Sequence, residues 1–172
     1  VKVAISYYYS EDYLIYVIDN EMTILYGKLP NYNENSDTLD GLKELTAKIT
    51  LSADPTTLEV SPDGEYIVGR KDTQFMVVDL DVGDLYEYQA PSANLRWLDA
   101  SMMYDIHDGE ILVWDYDGTN QRNLAESAKT SANKEVAANN SPVVITANNR
   151  WLYYLTTGKD KETILTREKI RD

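Results

Sequence analysis

The chain has 172 residues, with 29 acidic side chains against 16 basic ones, a formal charge of −13 and no cysteine. That balance argues against nucleic acid as a partner, because displacing counterions from a phosphate backbone requires clustered lysine and arginine, and it disfavours anionic membrane surfaces on the same ground. The missing cysteine excludes a disulfide framework and a thiolate metal site, and the length suits one domain or a set of small repeats sharing a core.

The acidic residues are spread through turns and strand ends, as on a solvated, repulsive surface. No apolar run approaches the roughly 20 residues that span a bilayer, and the start carries no signal-peptide pattern. Val1 already lies inside a strand-like run, which suggests an excised segment whose anchor or export signal lies upstream. Tyrosine is abundant, at 14 residues against one phenylalanine and three tryptophans. A ring packed in half-buried sheet with its hydroxyl in water accounts for most of them, since they fall in period-two segments; an aromatic ligand platform is the alternative.

In chain order, Val1 to Ser6 and Tyr13 to Ile18 read as paired strands, and Met22 to Leu29 follows the Asp19-Asn20 hairpin signal as a third. Asn31 to Asp40 is polar and turn-rich, an exposed loop. Leu42, Leu45 and Ile49 recur at helical spacing while Leu45 to Leu51 alternates like a strand, so a short helix and a fourth strand both stay open. The second unit is cleaner: Thr57 to Val60, Tyr66 to Gly69, Gln74 to Asp79 and Leu85 to Gln89, with turn residues between each pair. The third repeats it with Leu95 to Leu98, Met102 to His107, Ile111 to Tyr116 and a weaker Gln121 to Leu124. Ala125 to Asn140, almost without large apolar residues, reads as a mobile loop. Pro142 to Thr146, Trp151 to Thr156 and Glu162 to Arg167 then give three strands without a convincing fourth.

One phrase recurs through these units: an apolar strand, a tight polar turn, then a strand opening on Tyr, Trp or Met. Its turns are Ser10-Glu11-Asp12, Ser61-Pro62-Asp63-Gly64, Asp99-Ala100-Ser101 and Asn148-Asn149-Arg150, roughly 37 to 52 residues apart, a spacing compatible with propeller repeats that carry loop insertions. The pattern predicts an all-β chain, a β-propeller of about four blades belonging to a partial or larger ring. Each blade is a four-stranded antiparallel meander, with approximate bounds 1–54, 55–91, 92–140 and 141–172 in a single domain. A two-sheet sandwich is the competing arrangement, but it leaves the recurrence of the turn unexplained.

Val60-Ser61-Pro62-Asp63-Gly64-Glu65-Tyr66-Ile67 is similar to the Ser-Pro-Asp-Gly turn of TolB-like and related WD-like propeller repeats, and Ile111-Leu112-Val113-Trp114-Asp115-Tyr116-Asp117-Gly118-Thr119-Asn120 resembles their third strand and Asp-Gly-Thr turn. The likeness is strong over units two and three and weak over one and four, where Ser-Glu-Asp and Ala-Asn-Asn replace Pro-Asp-Gly. It implies blades. Propellers of this group serve as periplasmic or surface interaction scaffolds and as the gating domain of prolyl oligopeptidases, so the resemblance leaves activity open. Closed rings of this family usually have six or seven blades, so four imply an open fragment.

Candidate chemistry is sparse. Asp79, Asp81, Gly83, Asp84 and Glu87 alternate carboxylates around a glycine and could offer oxygen ligands to Ca²⁺, though without EF-hand spacing, and a plain turn has the same composition. Asp115, Asp117 and Gly118 repeat that case more weakly. His107, between Asp105 and Asp108, could be a general base or pH sensor, or simply a surface histidine. No nucleophile elbow, Walker loop, dinucleotide fingerprint or zinc-protease helix occurs. Trp97, Trp114 and Trp151 fit packing between blades, or else a carbohydrate-stacking surface.

The sequence therefore points to a non-catalytic scaffold in a secreted or envelope-attached bacterial protein, located in the periplasm or at the cell surface. No cofactor is expected beyond the Ca²⁺ alternative, and a protein or glycan partner would bind the blade loops. A gating propeller of a larger peptidase and a Ca²⁺-dependent binding module are the alternatives. An incomplete ring exposes strand edges and a blade face, so self-association is expected as well.

Overall fold

Runs such as Val3-Ala4-Ile5 and Phe75-Met76-Val77-Val78 combine β-branched and aromatic residues, which pack well on a pleated surface. The computed structural model describes residues 1–29, 41–107, 110–123, 135–136, 143–146, 151–157 and 160–169, and among them the chain is all-β, with four antiparallel sheets and no helix. The loop predicted at Asn31 to Asp40 lies outside these residues. Two compact units divide the chain, Val1–Ala90 and Pro91–Asp172, and each holds two sheets.

In the first unit, β1 (Lys2–Tyr8), β2 (Glu11–Ile18) and β3 (Glu21–Gly27) form a meander. The register closes the first hairpin at Tyr8 opposite Glu11, which leaves a two-residue turn with Tyr9 and Ser10 at φ 52° and 68°. The turn thus falls before Glu11 and Asp12, both of which already belong to β2. Left-handed backbone at two consecutive positions is what the right-handed twist of a tight hairpin demands.

The segment open to a helix or a strand is a strand in two pieces, β4 (Lys43–Glu44) and β5 (Ile49–Thr50), each paired with β3. Between them the Leu45 amide donates to the Ile24 carbonyl at 2.9 Å. Pairing satisfies the outer edge of β3, which a helix would have left bare, and this decides against the helical spacing of the leucines.

The second sheet is the meander β6 (Thr57–Val60), β7 (Tyr66–Lys71), β8 (Gln74–Asp79) and β9 (Leu85–Gln89). One face of each sheet meets the other in a common core of Tyr13, Ile15, Val17, Met22, Ile24, Leu51, Ile67, Met76, Val78 and Leu80. Full burial of such a side chain contributes about 1.5–3 kcal/mol, so this contact dominates the unit. The Ser61–Gly64 turn fixes its alignment. Ser6 Oγ on β1 donates to the Gly64 carbonyl at 2.6 Å in a buried position. Gly64 has φ +87°, and a Cβ there would lie 2.4 Å from the Tyr7 carbonyl oxygen, so only glycine fits.

The second unit begins with the meander β10 (Arg96–Trp97), β11 (Met102–His107), β12 (Glu110–Asp115) and β13 (Arg122–Asn123). Its fourth sheet is built on β16 (Trp151–Thr157), with β17 (Thr163–Lys169) along one edge. The short strands β14 (Glu135–Val136) and β15 (Val144–Ile145) pair with successive parts of β16. The segment predicted as a loop, Ala125 to Asn140, thus supplies β14, and its other residues lie outside the described ones. Tyr104, Ile106, Ile111 and Val113 of the third sheet and Val143, Leu152 and Tyr154 at the fourth share the second core.

Candidate functional site

In an antiparallel meander the first and third connections emerge at the same end of the sheet. The β10–β11 and β12–β13 turns of the third sheet accordingly face one another across an open cleft of about 460 Å³. Asp99, Ser101, Asp115, Asp117, Asn120 and Arg122 supply its polar lining, beside Met102, Tyr116 and Thr119.

The turns are rigid because their own side chains close them. Asp99 Oδ1 accepts from the amides of Ser101 at 2.9 Å and Met102 at 2.7 Å. Asp117 Oδ1 accepts from the Thr119 amide at 2.9 Å and the Thr119 hydroxyl at 2.6 Å, and Asp115 Oδ2 accepts from Asn120 Nδ2 at 2.5 Å. Local bonding of this kind is why aspartate favours turns over strands. Each carboxylate also keeps acceptor capacity, since an ionised group offers about four lone-pair sites. Exposed Arg122 adds donors. The lining can therefore hydrogen-bond hydroxyl or amide groups of a ligand, and among the described residues it contains no imidazole or thiol.

A shared device lies behind these turns that the repeat phrase only hinted at. Ser61 Oγ accepts from the Tyr66 amide at 2.9 Å, Asp99 Oδ1 from the Met102 amide, and Thr146 Oγ1 from the Trp151 amide at 3.1 Å. In each case an oxygen-bearing side chain just after a short strand caps the first amide of the longer inner strand that follows, β7, β11 or β16. The signal was present in the sequence as Ser, Asp or Thr ahead of the recurring Tyr, Met or Trp. The fourth turn itself, Asn148-Asn149-Arg150, lies outside the described residues.

The predicted Ca²⁺ candidates are only partly brought together. Asp79, 6% exposed, turns its Oδ1 to the Asp81 amide at 2.8 Å, while its carbonyl accepts from the Gly83 amide and its amide donates to the Asp84 carbonyl. Asp81 and Asp84 are exposed. Glu87 lies in β9, on the face shared with Met76 and Leu85, and accepts from the Ser52 amide at 2.8 Å. Among the described residues no three Asp, Glu, His or Cys side chains gather as a metal shell.

Acidity is concentrated on this rim of the first unit. Burial, followed by the charges of Glu65, Asp81, Tyr9 and Asp79, pushes the Tyr8 hydroxyl up to about 12. Glu65 is raised as well, chiefly by desolvation; an interaction with Tyr66 opposes the rise, while Asp63, Asp79 and Asp81 add to it.

His107 ends β11 opposite Glu110; Asp108 lies outside the described residues. Asp105, two residues before it in sequence, is 1% exposed, and its Oδ2 accepts from Ser92 Oγ at 2.6 Å, so it is part of the interior. Trp97 and Trp114 sit opposite Met103 from either side, and Trp114 is buried. Trp151 is half-buried beneath the Arg167 guanidinium, 4.7 Å from the ring centroid. No protein-family model and no curated protein matches the chain.

Proposed function

We propose that the four sheets are blades of a partial or larger β-propeller, and that the chain is a non-catalytic scaffold in a secreted or envelope-attached bacterial protein. Its partner is a protein or a glycan, bound at the turn rim. The observation that carries this reading is the repetition of one cap at Ser61, Asp99 and Thr146, each at the entry to a long inner strand of three successive sheets. Repeated meanders that bury one another's faces are the building units of propellers. The cleft at Asp99–Arg122 offers carboxylate, amide, hydroxyl and guanidinium groups on turns already rigid in the free protein, which suits sugar hydroxyls or peptide amides at low ordering cost.

The test is a glycan array and a peptide display library probed with the wild-type chain and with Asn120→Ala and Arg122→Ala. The reading expects at least one ligand whose affinity falls about tenfold or more in a cleft variant, the size of one charge-assisted hydrogen bond. Ligands bound equally well by all three proteins, or none at all, would remove the cleft from the function.

A further inference from the structure

The first sheet has a second face that its core does not use. Val3, Ile5 and Tyr7 point there from β1 and are 59, 62 and 65% exposed. The register sets them beside half-buried Tyr16 and Leu14 and beside Asp12 of β2, with half-buried Leu25 and buried Thr23 of β3 beyond, so the open part of the face lies along β1 and at Ile18. Ile18, 50% exposed, lies on the same face opposite Glu21, and Glu44 lies opposite Leu25. The result is an apolar field with Asp12, Glu21 and Glu44 around it. Lys48 answers Glu21 at 3.5 Å, and the balance remains negative.

The fourth sheet carries a counterpart. Trp151, Tyr153 and Leu155 of β16 share a face with Lys169, Arg167 and Leu165 of β17, and Val144 lies opposite Tyr153. Leu165 and Val144 are 67 and 58% exposed. This field is apolar too; Arg167 and Lys169 of β17 stand on it, against Glu135 of β14 at the register position opposite Thr157, so its balance is positive. Apolar patches of this extent on sheet faces mark contact surfaces, and opposite charges select the partner and its register.

We propose that these two faces bind each other between copies of the chain, the exposed β1 side of the first sheet of one copy covering the exposed β15–β17 face of the fourth sheet of the next. The contact would repeat the sheet-on-sheet packing that already covers the other face of the first sheet. It is heterologous, so it propagates into a closed ring or an open series of copies. This inference rests on the blade reading above and names one partner for it, a second copy.

Sedimentation velocity on the wild-type chain, on Ile5→Glu and on Leu165→Glu tests it, with far-UV circular dichroism to check folding. Both substitutions fall on exposed positions, so the fold should survive. The wild type is expected to associate with rising concentration and each variant to stay monomeric. Because each variant keeps one intact face, an equimolar mixture should give a discrete dimer and nothing larger. Should Leu165→Glu still self-associate, the first-sheet face pairs with itself and the head-to-tail assignment is wrong. A wild type that stays monomeric at all concentrations overturns the proposal outright. The scaffold reading stands or falls separately, on glycan and peptide binding by the monomeric variants.

Discussion

The two faces of the first sheet carry nearly the same chemistry and meet different fates. Ile15, Val17, Met22 and Ile24 on one face are at most 1% exposed, because the second sheet covers them. Val3, Ile5 and Tyr7 on the other are more than half exposed. Antiparallel sheets commonly pack one face and leave the other to water, and here the exposed strand residues are apolar as well. The difference between the faces is therefore in what lies against them, and the covered face shows what the cover must supply: a facing apolar sheet and a turn that keys onto β1.

That key is where the comparison breaks most sharply. Gly64→Ala should cost about 3 kcal/mol, combining a left-handed alanine with a clash against the Tyr7 carbonyl. Gly83→Ala, at φ +76° with nothing nearer than 3.8 Å to the added carbon, should cost only the conformational part, about 1–2 kcal/mol. Urea unfolding of both variants measures the gap, and equal losses would mean that the turn does not lock the sheets.

The faces themselves come next. Ile15→Ala is expected to lose about 2–5 kcal/mol through lost burial and a cavity, whereas Ile5→Ala should stay within about 0.5 kcal/mol when measured at micromolar concentration or below. A large loss from Ile5→Ala under those dilute conditions would show that its face is covered within one molecule. A smaller effect belongs to Ser6→Ala, which leaves the buried Gly64 carbonyl without its donor, at about 1–2 kcal/mol.

The mildest test is alkaline. Tyr8 ionises near 12 in the folded chain and near 10 when unfolded, so between those values the unfolded state releases its proton first and stability falls as pH rises. Tyr8→Phe should flatten that part of the stability curve. An unchanged slope would mean that Tyr8 is not held in the acidic surroundings of Glu65, Asp81 and Asp79.

The sequence by itself determined an all-β chain, most of its long strands and most of its turns, because period-two alternation and Pro-Asp-Gly or Asp-Gly chemistry act within a few residues. It also marked Asp79 and Asp115 as turn residues, and the structure places both carboxylates in bonds to their own turns. The tertiary structure alone decided that residues 43–50 join β3 in two pieces, that Asp105 is buried, and that Glu87 turns toward Ser52 and away from the other carboxylates. Each of these outcomes depends on an element distant in the chain: an open strand edge, a neighbouring serine or an amide on another strand. Local pattern carries no record of such partners. For the same reason the sequence could show that both faces of the first sheet are apolar, and only packing could show which one is covered.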